Sequence, residues 1–500
     1  MKSGAGGIFY QVSGAGQLTD RAEDAHSGAE LGRPDSRSEG MLFFMDFTRQ
    51  RLTTRPLILL ARPTLFGVLM VLSGCSKPRT LQALFQKSTP HQAYARQLQQ
   101  ANLDRGPAGR AWLAAADQAL RDSLVVALPF TETGYFRPEQ PTAASYRYAV
   151  RAGEQVHVSL SLAKNAAVRV FLDAFEVVPG RPPVPLANAD TLGLDFRYQA
   201  EADGQHLLRV QPELLAAGRY TLRVAREPSL GVFPVLGHSD AAVGSFWGAA
   251  RDAGVRRHEG IDIFASRGTP AVAATAGYIT RTGETPLGGR VVWLADTERG
   301  NHLYYAHLDK QLVTPGQHVR AGDTLGLVGN TGNARTTVPH LHFGVYRSGQ
   351  GALDPFPFVR QAPPPAALPS GPDRRGEYVR LQTAALLQPT AARKNSASRP
   401  LARLTRQLPL LVVGQQGTSL RVQTPTGQVG YVDSQAVVEA AGTPLRRLRL
   451  AAATELLARP TTTAPAEGAL AARTSVTVLG QTAAYSLVRG PQGETGWAVL

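Results

Sequence analysis

The sequence predicts a mainly β, multidomain protein, and three observations carry that prediction. From Ser145 onward apolar and polar residues alternate in short runs, as in "VHVSLSL" (156–162) and "YTLRV" (220–224), which is the period of half-buried strands. The 50 glycines and 35 prolines supply the turns that many short strands need. A length of 500 residues exceeds one ordinary core, so several domains are expected. Hydrophobic content of 43% and charged content of 18% fit a globular chain.

The chain opens with a polar stretch, residues 1–40, that reads as an upstream mis-start, with Met41 or Met45 giving a more ordinary beginning. In "RPTLFGVLMVLSGCSK" (62–77) the run Leu65–Leu72 follows Arg51, Arg55 and Arg62 and precedes small residues. That is the layout of an export signal, too short to span a membrane as a helix. Residues 1–74 thus read as the mis-start plus a signal segment. The single cysteine, Cys75, excludes an intramolecular disulfide and reads as a buried thiol or as a modified residue. "LSGC" resembles the lipobox of bacterial lipoproteins. The resemblance implies cleavage before Cys75, a diacylglycerol on its thiol, and a lipid-anchored, periplasm-facing place in the cell envelope. Ser76 after the cysteine favours the outer membrane.

Residues 75–140 are expected to form a helical spacer, because "QAYARQLQQ" (92–100) and "RAWLAAADQALRDSL" (110–124) repeat apolar residues every three or four positions. Residues 141–228 alternate with period two between Gly and Pro breaks and predict a β-sandwich. Its His157 and His206 read as ordinary strand residues. Residues 237–360 form a third block of strands and turns. It contains a loose internal echo, "RGTPAVAATAGYI" (267–279) against "GQHVRAGDTLGLVGNTG" (316–332). "QAPPPAALPSGPD" lies in a stiff Pro-rich linker, residues 361–375. Two copies of one small unit follow, residues 376–440 and 441–500. "VVGQ" (412–415) answers "VLGQ" (478–481), and "GYV" (430–432) answers "GWA" (496–498). These copies resemble the bacterial SH3-type barrels that bind cell-wall peptide.

The net charge of +15 points to an anionic partner. Its location narrows the choice: residues 373–500 hold 15 Lys/Arg against 7 Asp/Glu, whereas residues 237–359 hold 11 against 10. The tail lacks the interleaved aromatic and basic residues of single-strand binders, and the export signal argues against nucleic acid, so no nucleic-acid partner is expected.

The third block carries the chemistry. Of only 11 histidines, His258 lies in "RRHEGIDIFA" (256–265), and His340 and His342 lie in "PHLHF" (339–343). A strand places residues i and i+2 on one face, so His340 and His342 project together while Leu341 and Phe343 face the core. His258 and Asp262 share a face if their segment is extended. Two imidazoles and a carboxylate are suitable zinc ligands, and three protein ligands leave the open position of a catalytic site. Manganese or cobalt would also suit such donors.

The ordered set "RRHEGIDIFASRGTPAVAATAGYI", "YYAHL" (304–308), "AGDTLGLVGNTG" and "PHLHFGV" resembles the lysostaphin-type (LytM-like) zinc metallopeptidases, over roughly residues 244–358. The resemblance implies a core of antiparallel β-sheets built on a duplicated motif. It implies one Zn2+ per peptidase domain held by His258, Asp262 and His342, with His307 and His340 as catalytic histidines. The implied activity is endopeptidase hydrolysis of peptide stems or cross-links in peptidoglycan through a metal-activated water. Ala271 and Val338 depart from the family pattern without removing a functional group. His302 and His318 read as structural or solvated, and His238 has no assigned place. Two other readings stay open: a non-catalytic activator of wall amidases, as in relatives that have lost ligands, and a wall-binding scaffold lipoprotein.

Overall fold

The computed structural model describes residues 88–138, 141–163, 168–369, 371–391 and 399–500. The export signal and Cys75 lie outside the described residues. No helix among the described residues is long and apolar enough to cross a membrane.

Helix α1 (Pro90–Gln100) starts at a capping box in which Thr89 and Gln92 satisfy each other's backbone N–H groups, and α2 (Pro107–Arg121) follows. Tyr94, Leu98 and Trp112 from these helices bury against Phe171 of the sandwich. The Trp112 indole N–H donates to the Pro212 carbonyl at 2.8 Å. The helical segment thus packs on the sandwich. It ends at Arg121, earlier than expected for residues 75–140: Leu124–Val125 and Phe130–Phe136 are already strands. Alternation in "FTETGYF", burying Phe130 and Phe136, overrides the helical pattern before it.

The sandwich pairs a five-stranded sheet with four strands, Phe130–Phe136, Gly218–Glu227, Gln155–Leu162 and Asp195–Gln199. Phe130, Tyr146, Val158, Leu172, Leu208 and Leu222 fill the space between the sheets. The four-strand layer does not stop at Phe130–Phe136. Its free edge pairs with Pro409–Gln416 of the first tail repeat, Thr133 opposite Gln415 and Gly134 opposite Gly414, so the two domains share a nine-stranded sheet. A buried ion pair crosses the same junction, Arg421 to Glu132 at 2.8 Å. Tyr146 and Tyr431 donate to the two Glu132 carboxylate oxygens at 2.6 and 2.8 Å.

Both repeats have one strand order: a strand, a hairpin, then a three-stranded meander. The repeated "VVGQ" and "VLGQ" are β-bulges, with register shifts between Val412 and Gly414 and between Val478 and Gly480. Each bulge glycine meets a neighbouring domain. A Cβ on Gly414 would sit 3.0 Å from the Thr133 carbonyl, and one on Gly480 would sit 2.7 Å from Pro409. The expected closure of each repeat into a barrel is not made by strand pairing among the described residues.

The third block is a ten-stranded sheet. Its strands are β1 (Val243–Ser245), β2 (Ile261–Phe264), β3 (Pro270–Val272), β4 (Gly277–Thr285), β5 (Gly289–Asp296), β6 (Asn301–Gln311), β7 (His318–Val319), β8 (Thr324–Val328), β9 (His340–Arg347) and β10 (Gly351–Leu353). The main order is β1-β2-β9-β6-β5-β4-β7, with β8 joining β3 to β6 and β10 on β9. The internal echo has a structural meaning, because its two copies are partners: β3 pairs β8 and β4 pairs β7. Leu230 and Val235 already belong to this core, so the block begins before residue 237.

The junction at Glu132 yields a stability prediction. Replacing Glu132 by Ala strands the Arg421 charge, at a cost of about 3–5 kcal/mol. Calorimetry should show a lower melting transition for Glu132→Ala, and the double replacement with Arg421→Met should recover part of that loss. An unchanged melting profile in the single variant would show that the pair does not join the domains.

Candidate metal centre and its cleft

The site is built on one face of three adjacent strands. Asp262 of β2 lies opposite His342 of β9, which lies opposite Ala306 of β6. Two residues along, His340 lies opposite Phe264. The alternate positions Ile261, Ile263, Leu341, Phe343 and Tyr305 point the other way and are fully buried. Period-two alternation thus puts apolar residues into the core and chemical groups into a cleft of ≈ 850 Å³.

His307 breaks that alternation. By period it belongs with Tyr305 on the core face. Between the pairs Arg290–Leu308 and Val292–Tyr305, however, β6 advances one residue more than β5. The bulge places His307 in the left-handed region, φ 61°, an uncommon conformation for a non-glycine residue that concentrates at functional sites. The bulge turns the imidazole to the cleft side, where its ring lies 5.0 Å from that of His340.

His258 reaches the site differently from the expected extended segment. It follows the short strand Arg256–Arg257 and precedes a turn at Gly260 rather than sharing a strand with Asp262. Gly260 has no room for a side chain: a Cβ there would lie 2.6 Å from the His342 ring and 2.7 Å from the Phe343 carbonyl. This close approach brings His258 over the sheet.

Three donor atoms converge as a result. His258 Nε2 lies 3.0 Å from Asp262 Oδ1 and 3.0 Å from His342 Nδ1, and His342 Nδ1 lies 3.1 Å from Asp262 Oδ1. A tetrahedral ion with N and O ligands at its usual 2.0–2.2 Å needs donors about 3.3 Å apart, so the triad fits a zinc-sized ion. Among the described residues these three are the group able to hold one. Backbone carbonyls fix the ring orientations. His258, His307 and His340 each donate Nδ1–H to a carbonyl, of Phe246, Thr331 and Val338 respectively, at 2.9 Å, which turns each Nε2 lone pair into the cleft.

The electrostatics suit the same purpose. Burial works against the Asp262 charge, but His258 and His342, when protonated at the nitrogens that face it, overcome that by hydrogen bonding and charge and hold its carboxyl far below the usual range. Arg251 donates to the other Asp262 oxygen and, at 2.8 Å, to Ser245 Oγ. Burial lowers the His342 pKa. Burial and the charges of His342 and His340 push His307 down to about 4, so its ring is neutral, a proton acceptor, at ordinary pH.

The structure therefore brings together all five residues singled out from the sequence. The other described histidines lie elsewhere. His157 sits between Glu227 and Asp195 on the sandwich, and His206 shares a hydrogen bond with Tyr198 there. His302 is a half-buried strand residue opposite Tyr346, and His318 is exposed. Sequence reasoning missed Gly260, Arg251 and the aromatic wall of Trp293, Tyr304 and Tyr346. Gly260 had a signal, a glycine between two presumptive ligands. Arg251 had none.

Residues 256–355 match the model of Peptidase family M23, so the chain carries a domain of that type. An L-Ala--D-Glu endopeptidase of Bacillus subtilis (strain 168) is 35% identical over 139 residues, 26% of this chain and 42% of that protein. Glycyl-glycine endopeptidase ALE-1 of Staphylococcus capitis is 31% identical over 182 residues, 35% of this chain and 49% of that protein. The chain thus spans less than half the length of these relatives. The solved catalytic domain of lysostaphin from Staphylococcus simulans is 34% identical, covering 23% of this chain and 90% of that one, with a TM-score of 0.22.

Gly260→Ala should lower zinc affinity more than tenfold, roughly the effect of misplacing a ligand's support, while circular dichroism stays native. Calorimetric zinc titration measures this, and wild-type affinity in the variant would show that His342 tolerates the added methyl.

Proposed function

We propose that this protein is a zinc-dependent endopeptidase that hydrolyses peptide stems or cross-links of bacterial peptidoglycan. The observation that carries the reading is the convergence of His258, Asp262 and His342 donors within 3.1 Å, with two more histidines aiming Nε2 into the same cleft. The relatives named above, which act on peptide bonds of this kind, support it.

His258 Nε2, Asp262 Oδ1 and His342 Nδ1 would hold the ion. Zinc, when bound, supplies Lewis acidity toward a peptide carbonyl and makes water acidic enough to ionise near neutral pH. The chain's own residues do the rest. The cleft walls hold an extended peptide across the face of β9 and β6. His307 and His340, each with Nδ1–H tied to the backbone, present Nε2 to accept a proton from water and pass one to the departing amine. One of the two would act on the water as acceptor, while the other, protonated at Nε2, would donate a hydrogen bond to the developing oxyanion. Asp262 stays ionised because its hydrogen-bond partners outweigh its burial.

The rest of the chain fits a wall enzyme. A lipid on Cys75 would tether it to a membrane leaflet facing the periplasm, and the arginine-rich tail repeats would hold it to the acidic wall. With all five site residues present, the hydrolase reading stands ahead of a non-catalytic activator.

His342→Ala should lose zinc and activity together, whereas His307→Ala should keep zinc and lose turnover by about 10²–10⁴-fold. Metal analysis alongside digestion assays separates the two, and full turnover in His307→Ala would reject the role given to it. Purified sacculi incubated with the full chain should release peptide fragments identifiable by mass. A chelator should abolish the release, and added zinc should restore it. Release that survives chelation would refute the metal-dependent mechanism.

A further inference from the structure

The cleft face of the sheet carries a second row of residues beside the donor row. Trp293 of β5 stands opposite Tyr304 of β6, which stands opposite Gly344 of β9. This row lies two residues along from Asp262, His342 and Ala306, about 7 Å at the rise of a strand. Tyr346 folds back over the bare Gly344, where a Cβ would come within 2.9 Å of its ring. Three rings gather as a result, Trp293 lying 4.6 Å from Tyr304 and 5.1 Å from Tyr346 between centroids. The Tyr304 ring also lies 5.9 Å from that of His342, so the cluster adjoins the donors.

Packing alone does not account for these rings. Their strand neighbours on the opposite face, Val292, Leu303, Tyr305 and Val345, are completely buried. Trp293, Tyr304 and Tyr346 stay half-buried and line the cleft. Large aromatic faces held against water gain from a ligand that covers them. The stem peptides of peptidoglycan offer little to such a surface, because their side chains are mostly methyls and charged or polar groups. The broad apolar surfaces of that polymer are the C–H faces of its sugar rings. These stack on indole and phenol rings, while the sugar hydroxyls hydrogen-bond at the edge. An acceptor for them is present: Glu259 lines the same cleft, and its side chain is exposed.

Resting on the hydrolase reading above, we propose that Trp293, Tyr304 and Tyr346 form a saccharide subsite, and that the cleft takes stems still joined to the glycan in preference to free peptide. The spacing of the two rows leaves room for about two extended residues between the sugar and the donors. The bond cut is therefore in the glycan-proximal part of a stem and not in a distant cross-link. Catalysis stays with the donor triad and the histidine pair, while the aromatic row sets which part of the polymer lies across them.

The test uses the full chain loaded with zinc, in the His307→Ala background so that ligands survive. Calorimetric titration compares three forms of one tetrapeptide stem: joined to its disaccharide, capped at the amino end by lactate alone, and capped there by a cyclohexyl acid. Stacking of one sugar should give the disaccharide form an advantage of roughly tenfold over the lactyl form. Trp293→Leu, which keeps an apolar side chain but no ring, should bring that ratio close to one at full zinc content. Should this variant fail to fold, Tyr346→Leu takes its place. Equal binding of the disaccharide and lactyl forms overturns the proposal, as does a ratio unchanged by loss of the ring. Equal binding of the cyclohexyl form also overturns it, because the rings would then read apolar bulk rather than sugar. Hydrolysis by the protein with His307 intact is followed in parallel, and the fragment masses should place the cut near the sugar. A glycan preference without cleavage sinks the hydrolase reading and leaves the subsite standing, whereas cleavage of all three forms at equal rates does the reverse.

Discussion

The antiparallel register of three strands, Ile261–Phe264, His340–Arg347 and Asn301–Gln311, is the constraint on which the cleft depends. It sets Asp262, His342 and Ala306 side by side on one face and Ile263, Leu341 and Tyr305 on the other. A slip of one residue in any of these strands would turn its apolar set to solvent and its polar set into the core. The core therefore pins the site: every buried Leu341 or Phe343 side chain that fixes the register also fixes the direction of His340 and His342. In this arrangement the stability of the sheet and the position of the donors are one physical fact.

Two local departures from regular strand geometry complete the constellation. The bulge in β6 turns His307 out of the core series at the expense of a left-handed backbone. The missing side chain at Gly260 lets His258 fold back over the His342 ring. Both departures lie at the cleft, and both move a polar side chain to where the regular fold would not place it. Backbone carbonyls then fix the orientation of each ring, so the lone pairs face inward before any ligand arrives.

The accessory domains are joined more tightly than a string of modules. The sandwich edge continues into the first tail repeat, the Glu132–Arg421 pair is buried at that seam, and the bulge glycines of the two repeats lie against the sandwich and the first repeat respectively. A repeat held this way presents its remaining surface in a fixed direction from the sandwich. The repetition of "VVGQ" and "VLGQ" thus records a packing requirement as much as a shared ancestry of strands.

What the sequence alone determined is whatever depends on short spacing. Period-two alternation marked the strands, the repeated glycine motifs marked the two tail units, and the i, i+2 rule put His340 and His342 on one face. The resemblance of four ordered motifs then picked out His258, Asp262 and His307 as well. What only the tertiary structure decided is whatever depends on residues far apart in the chain meeting in space. Arg251 beside Asp262, the aromatic wall facing an arginine ribbon, and the sheet shared by residues 130–136 and 409–416 leave no local period to read. The start of the sandwich at Leu124 was hidden for a related reason, since a two-residue and a seven-residue strand are outweighed by the long helical pattern before them. Local periodicity reports how each segment partitions between core and solvent, whereas pairing partners and cross-domain charges are chosen by the folded whole.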